Sequence, residues 1–411
     1  DLGSVLRAIE ERGTVVLEGL VGSYRAAVLA RLQEMVRRPL AVVLPEGFDG
    51  EALLLDLRAF HRAGDGKRRV VAFPPLGVDP YGTLAPHPDH IRERIQTLDR
   101  CARKKVDILL APMLSWLEHL QPPQHFLGST LTVAAGNDLP LEELVGALGS
   151  AGYQRHSLVE SLGEMAVRGG IVDVFPATRE YPIRLEYFGD EIESIREFNP
   201  RDQRSLRSIE FVELPPAREH FELAARRTGN ISEGSESDQS PQGRRICFEG
   251  EEVSSRALLA DYLADPLWVE IEPELFAEEE AAWGSQLDEY YHRALAAGRD
   301  AKPPDDLYSN LAEGLRRTGR DRLLMRDLAT QDSASEAFRL IAGPAPSFQG
   351  RMADLAENVR KSLAKGDSIF LAMNRPASAR RLAGVLEEYG IPTALFLPDK
   401  AADDRQLNSP V

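Results

Sequence analysis

The stretch 168–204, RGGIVDVFPATREYPIRLEYFGDEIESIREFNPRDQR, carries the densest patterning in the chain and constrains its fold most. Residues 170–175 read as a short buried strand that stops at Pro176. A second strand, residues 183–188, leads through Gly189-Asp190 into a third, residues 191–198. Glycine followed by a polar residue between two such runs predicts a two-residue hairpin, because glycine supplies the positive φ of a type II′ turn. Side chains alternate across a strand, so Ile183, Leu185 and Tyr187 share one face while Arg184, Glu186 and Phe188 share the other. The first set has the composition of a core. The second places an aromatic ring among charges on the solvent side, and arginine beside an aromatic is typical of interface hot spots. A plainer reading of the same residues has Phe188 covering a loop and Arg184 in a surface ion pair with Glu191 or Glu193.

Elsewhere the apolar runs predict another kind of sheet. Residues 40–44 (LAVVL) are continuously apolar, the pattern of a parallel strand buried on both faces. Residues 14–17, 70–73, 107–111 and 267–271 add further strands, with helices expected near 50–62, 91–101 and 112–120. Strands alternating with helices of this length imply a doubly wound α/β sheet. After Gly128 the character changes to α+β. Residues 130–134 form a strand, and Asn137 or Asp138 is expected to cap a helix with Pro140 in its first turn. Leu141, Leu144, Val145 and Leu148 put one face of that helix on a sheet built by residues 153–160 and the hairpin.

Residues 229–243 (GNISEGSESDQSPQG) have almost no apolar content and read as a disordered loop. Residues 331–411 restart an α/β pattern: a helix with Met352, Leu355, Val359 and Leu363 on one side, a strand at 368–373, a helix over 377–389 stopped by Gly390 and Pro392, and a further element at 393–397. The expected organisation is a first α/β domain over 1–128, an inserted α+β domain over 129–214, the return of the first domain over 215–328, and a small third α/β domain over 329–411.

The first strand runs into a glycine-containing turn and a helix, the layout of a P-loop. A working loop ends in Gly-Lys-Ser/Thr, where glycine lets the backbone approach phosphate, lysine neutralises it and the hydroxyl holds magnesium. Counted from Gly19 and through Gly22, those slots hold Tyr24, Arg25 and Ala26. Tyr24 adds bulk, Arg25 lacks the compact ammonium, and Ala26 cannot ligate a metal. The loop reads as a degenerate, helicase-like P-loop. Glu270 and Glu272 flank Ile271 instead of forming an adjacent acidic pair. Phosphoryl transfer needs the phosphate cradle, magnesium ligands and a water-positioning group together. The chain alone is therefore expected to be non-catalytic, with no catalytic residue and no bound cofactor.

At 411 residues the chain exceeds one ordinary core, and its formal charge of −16 argues against a general nucleic-acid surface, which needs clustered Lys and Arg. Cys101 and Cys247 make no metal or disulfide framework, and His87 and His90 lack acidic or sulfur partners at ligand spacing, so no metal site is expected. No membrane-length apolar run and no leader pattern is evident; a cytoplasmic monomer is the expectation.

RGGIVDVFP, PIRLEYFGDEIESIREF and DQRS closely resemble the second domain of bacterial transcription-repair coupling factors (Mfd), which has a counterpart in the excinuclease protein UvrB. The resemblance implies that this domain docks the excinuclease protein UvrA, with Arg168, Arg184 and Phe188 as contacts and Arg196 as a fourth. PYGTLAPHPDHIRERIQTL resembles the loop and helix of the same family's first domain; the DNA-gripping hairpin that UvrB carries in this region has no room here. Residues 331–411 resemble the family's third domain. The full-length family is an ATP-dependent translocase on double-stranded DNA that dislodges stalled RNA polymerase. The resemblance covers its N-terminal third, so polymerase, DNA, ATP and magnesium are expected to engage other domains. What it implies for this chain is an adaptor module. The alternatives are a stand-alone α/β binding or regulatory module, and an active UvrB-like helicase, which Tyr24, Arg25 and Ala26 oppose.

Overall fold

The computed structural model describes residues 2–61, 69–84, 86–219, 256–317, 321–327, 337–340, 346, 348, 350–367, 369–371, 373 and 375–395. The chain divides into two compact units, one of residues 1–37, 48–70 and 323–411, the other of residues 38–47 and 71–322. In chain order the strands are β1 (Thr14–Glu18), β2 (Leu40–Leu44), β3 (Val70–Ala72), β4 (Ile108–Pro112), β5 (Leu131–Ala134), β6 (Gln154–Arg155), β7 (Glu164–Arg168), β8 (Ile171–Val174), β9 (Ile183–Phe188), β10 (Glu191–Phe198), β11 (Ser205–Ile209), β12 (Phe211–Leu214), β13 (Leu267–Ile271), β14 (Arg322–Arg326) and β15 (Phe338–Arg339).

In the second unit β13, β2, β4 and β3 lie side by side. β2 pairs in parallel with β13, Leu40 opposite Leu267, and with β4, Leu40 opposite Ile108. All residues of β2 and β13 are buried, which explains the unbroken apolar sequence of β2 and the near-apolar one of β13, where Glu270 alone is charged: neither face meets water. Phe73, Ile95, Leu98, Phe126 and Phe276 fill this core, with the Trp116 and Trp268 rings edge to face at 4.6 Å. The helix expected over 112–120 is a short one, Met113–Leu117. Beyond it Glu118 bridges Tyr308 and Leu120 bridges Ala257, so the backbone leaves the helix to pair as strand.

The same unit carries a separate six-stranded sheet, β11-β10-β9-β8-β7-β6, antiparallel except for the short β6–β7 pair, and a two-stranded ribbon of β12 and β5. One face of the sheet is core: Val172, Val174, Ile183, Leu185, Ile192 and Ile195 pack with Leu144 and Leu148 of the helix Leu141–Ser150. Neither Asn137 nor Asp138 caps that helix. Its N-cap is Pro140 without a side-chain bond, Asn137 accepts instead from the Ala134 amide at 2.7 Å, and Asp138 bridges Glu191. Strand pairing with β10 has claimed this segment, as the Leu139 amide donating to Asp190 shows, so the helix starts later. Of residues 153–160 only Gln154–Arg155 form strand.

In the first unit β15, β1 and β14 are neighbours, with β1 parallel to β15. Helices Met352–Ala364 and Pro376–Glu388 share a small core of Leu355, Ala356, Val359, Leu386 and Ile391, while Leu363 is exposed. Gly390, at φ 73°, ends the second helix as its sequence position implies. Residues 229–243, 368, 372 and 396–397 lie outside the described residues, and 369–371 carry no strand. The parallel strands alternating with helices establish the α/β class. Among the described residues no helix is long and apolar enough to cross a membrane.

Candidate functional site

Two tight turns set the site. Gly169-Gly170 joins β7 to β8, with Arg168 opposite Ile171, and Gly189-Asp190 joins β9 to β10, with Phe188 opposite Glu191. Gly189 has φ 65° and Asp190 stays at negative φ, the combination of a type II′ turn. A side chain at Gly170 would crowd the Tyr187 carbonyl at 3.1 Å, so the close approach of β9 favours a glycine there.

Register then brings distant residues together. Ala166 faces Asp173, Asp173 faces Arg184, and Arg184 faces Arg196 across four adjacent strands. Alternation adds Arg168, Glu186 and Phe188 to the same face, opposite the core. Asp173 is the hub of this face, with its side chain 0% exposed. Arg184 donates from Nε to Oδ1 at 2.7 Å and from Nη2 to Oδ2 at 2.9 Å; Arg168 donates from Nη2 to Oδ2 at 2.6 Å. The Arg184 guanidinium also lies 4.5 Å from the Phe198 ring centre and donates to the Gln203 side chain at 3.1 Å. The hydrogen bonds that Arg184 donates to Asp173 hold its pKa above the ordinary value.

The four residues singled out in the sequence thus share one face with unequal exposure. Phe188 is 78% exposed. The Arg168 side chain is 45% exposed and that of Arg196 is 40%, whereas Arg184 is only 14% exposed. Arg196 pairs with Glu186 at 3.2 Å, and Glu186 also accepts from the Ser194 hydroxyl at 2.6 Å. Neither Glu191 nor Glu193 is the partner of Arg184. A register shift between Ile192 and Ser194 bulges Glu193 out of the pairing, and the cross-strand neighbour Asp173 takes the guanidinium. Asp173 and Gln203 were missed in the sequence, and Glu186, placed on this face by alternation, was not foreseen as the partner of Arg196. The available signal was an aspartate inside the apolar run IVDVF.

The β1–α loop forms a different environment. Gly19, at φ 86°, donates to the Arg326 carbonyl at 3.1 Å, and a Cβ there would collide with the Leu340 carbonyl. Gly22, at φ 58°, precedes the helix Ser23–Val36. Tyr24 is exposed and Ala26 buried. Arg25 is buried, donates to the Leu20 carbonyl at 3.0 Å, pairs with Asp327 and lies 5.1 Å from the Phe48 ring centre. Buried Glu270 pairs with Arg322 at 2.6 Å, and burial pushes its carboxyl above the usual range. Among the described residues no group of three or more His, Cys, Asp or Glu is placed to hold a metal ion.

Comparison with known proteins points to the same sheet. The family profile described as the UvrB interaction domain matches residues 131–220, which span β5 to β12 and the face just described. A transcription-repair-coupling factor from Myxococcus xanthus is 35% identical over 206 residues, 49% of this chain. Those from Haemophilus influenzae and Escherichia coli K12 are 31% and 30% identical over 60% and 52% of it. This chain is similar to the transcription-repair coupling factors. The matched stretches cover 17%, 23% and 18% of those three relatives, so the chain spans about a fifth of their length.

Proposed function

We propose that this chain is a non-catalytic adaptor module of transcription-coupled nucleotide excision repair, and that the outer face of the six-stranded sheet recruits the excinuclease protein UvrA. The observation that carries the reading is Phe188, a large aromatic left 78% exposed on the sheet face that also bears Arg168, Arg196 and the Asp173 cluster, within the residues that match the UvrB interaction domain. An exposed ring on the same sheet face as guanidinium groups suits a partner surface with an apolar pocket and acidic rim. Arg168, Phe188 and Arg196 are the direct contacts in this reading. Arg184, held beneath them by Asp173, completes the face from below.

The β1–α loop is read as a degenerate P-loop. Arg25 sits where phosphate neutralisation would be needed, but its guanidinium is turned inward to the Leu20 carbonyl and Asp327, and Ala26 brings no hydroxyl for magnesium. In this reading the loop holds neither ATP nor magnesium, and contacts to RNA polymerase and double-stranded DNA lie with other parts of the full-length relatives. The test is capture of purified UvrA by the immobilised chain, with Arg184→Glu plus Phe188→Ala as the altered face. Loss of capture by a folded double variant supports the adaptor reading, and undiminished capture contradicts it. A fluorescent ATP analogue titrated with magnesium is expected to give no saturable signal.

A further inference from the structure

Asp173 lies at the centre of the proposed docking face, although nothing in its immediate sequence marks it for binding. Its neighbours in β8, Val172 and Val174, belong to the core, and the side chain of Asp173 is completely buried on the other face. A carboxylate in that position is tolerated only with charged, well-aligned donors. Three such bonds reach its two oxygens, the pair from Arg184 in a bidentate fork and the third from Arg168. The far side of the Arg184 guanidinium is fixed by the Phe198 ring and the Gln203 side chain. Gln203 itself, at φ 61°, is anchored by donation to the Pro200 carbonyl at 2.9 Å. A continuous chain of contacts therefore runs from the 199–204 loop through Arg184 and Asp173 to Arg168 at the surface.

Free arginine side chains lose rotamer freedom when a partner orders them, and that loss weakens binding. Here the ordering accompanies folding. We propose that Asp173 is a positioning residue of the docking face: it holds Arg168 and Arg184 as a preformed guanidinium pair, so that an acidic group of the partner meets an ordered set of donors beside Phe188. The inference rests on the docking reading above. It assigns Asp173 no direct contact with the partner, since its side chain has no exposed surface.

The test uses the whole chain with Asp173→Asn, Arg184→Lys and the double variant. Lysine keeps the charge of Arg184 but cannot form the bidentate fork. Each single variant is expected to lower the affinity for UvrA by on the order of tenfold or more, with the double variant no weaker than the weaker single one, because both break the same link. Unchanged affinity in folded Asp173→Asn, or additive losses in the double variant, would overturn the proposal. A second readout does not need the partner. In the arginine side-chain NMR spectrum the Arg184 Nε proton is expected to exchange slowly in the parent chain and rapidly in Asp173→Asn. Slow exchange in both overturns the clamp, even where Asp173→Asn is too unstable for binding assays. A clamp confirmed by NMR in a parent chain that does not bind UvrA leaves the positioning of the arginines intact and defeats the docking reading instead.

Discussion

Arg94 and Asp173 each sit fully buried at the centre of an ion cluster, with the signs reversed. Around Arg94 stand two carboxylates: Nη2 is 2.6 Å from both Glu118 and Glu219, Nε is 2.7 Å from Glu219, Nη1 donates to the Pro74 carbonyl, and the Phe73 ring centre lies 4.0 Å away. Every side chain of that cluster is buried. Around Asp173 stand two arginines, of which Arg168 reaches solvent. The first cluster has surplus acid and no exit to water, so it ties the helix Pro88–Ala102 to the chain at Glu118 and Glu219 and responds to protons. The second has surplus base at a surface, so it is arranged to meet an acidic partner. One chemistry serves two ends, and the direction of the surplus decides which.

The largest expected effect comes from emptying the inner cluster. Arg94→Met leaves two buried carboxylates facing each other and should cost about 3–5 kcal/mol in urea unfolding; a loss no larger than that of Asp173→Asn would erase the distinction. Next is the response to pH. Burial, opposed by Arg94, raises the Glu118 carboxyl from 4.5 to about 7. A group with a raised folded pKa binds its proton more tightly in the folded state, so its stabilisation is complete below pH 4.5 and is lost as pH rises to about 7. Stability should therefore carry a falling component across that window, and Glu118→Gln should flatten it in denaturation midpoints measured from about pH 5 to 8. Asp173→Asn comes third, at about 1–3 kcal/mol of unfolding free energy, because Arg168 already reaches water and Arg184 keeps the Gln203 side chain as a partner. A cost equal to that of Arg94→Met would show that the outer cluster is as closed as the inner one. The smallest effect belongs to Gly189→Ala, about 1 kcal/mol from forcing a side chain to positive φ, read by thermal melting.

The two clusters also mark the limit of what the sequence reveals. Leu40–Leu44 and Leu267–Ile271 were legible as strands because burial on both faces leaves a run that is apolar throughout in the first and apolar except for Glu270 in the second. The hairpin at Gly189-Asp190 was legible because the turn requires glycine, and Phe188 because alternation placed it with Arg184 on the polar face. What alternation along one strand cannot supply is the neighbour on the next. Asp173 as the partner of Arg184 depends on the register of β8 against β9, and the exclusion of Glu193 depends on a bulge. Arg94 meets Glu219 across a separation of 125 residues, with no local pattern in either segment to announce it. Helix ends were misread where strand pairing claimed the segment, as at Asn137 and Asp138.

Isothermal titration of purified UvrA into the chain and into Phe188→Ala tests the central claim most directly, since an exposed ring can be removed without touching the core. The account predicts saturable binding by the parent chain and a loss of about 2 kcal/mol or more in the variant, with an unchanged melting temperature. Equal affinities for the two proteins would contradict it.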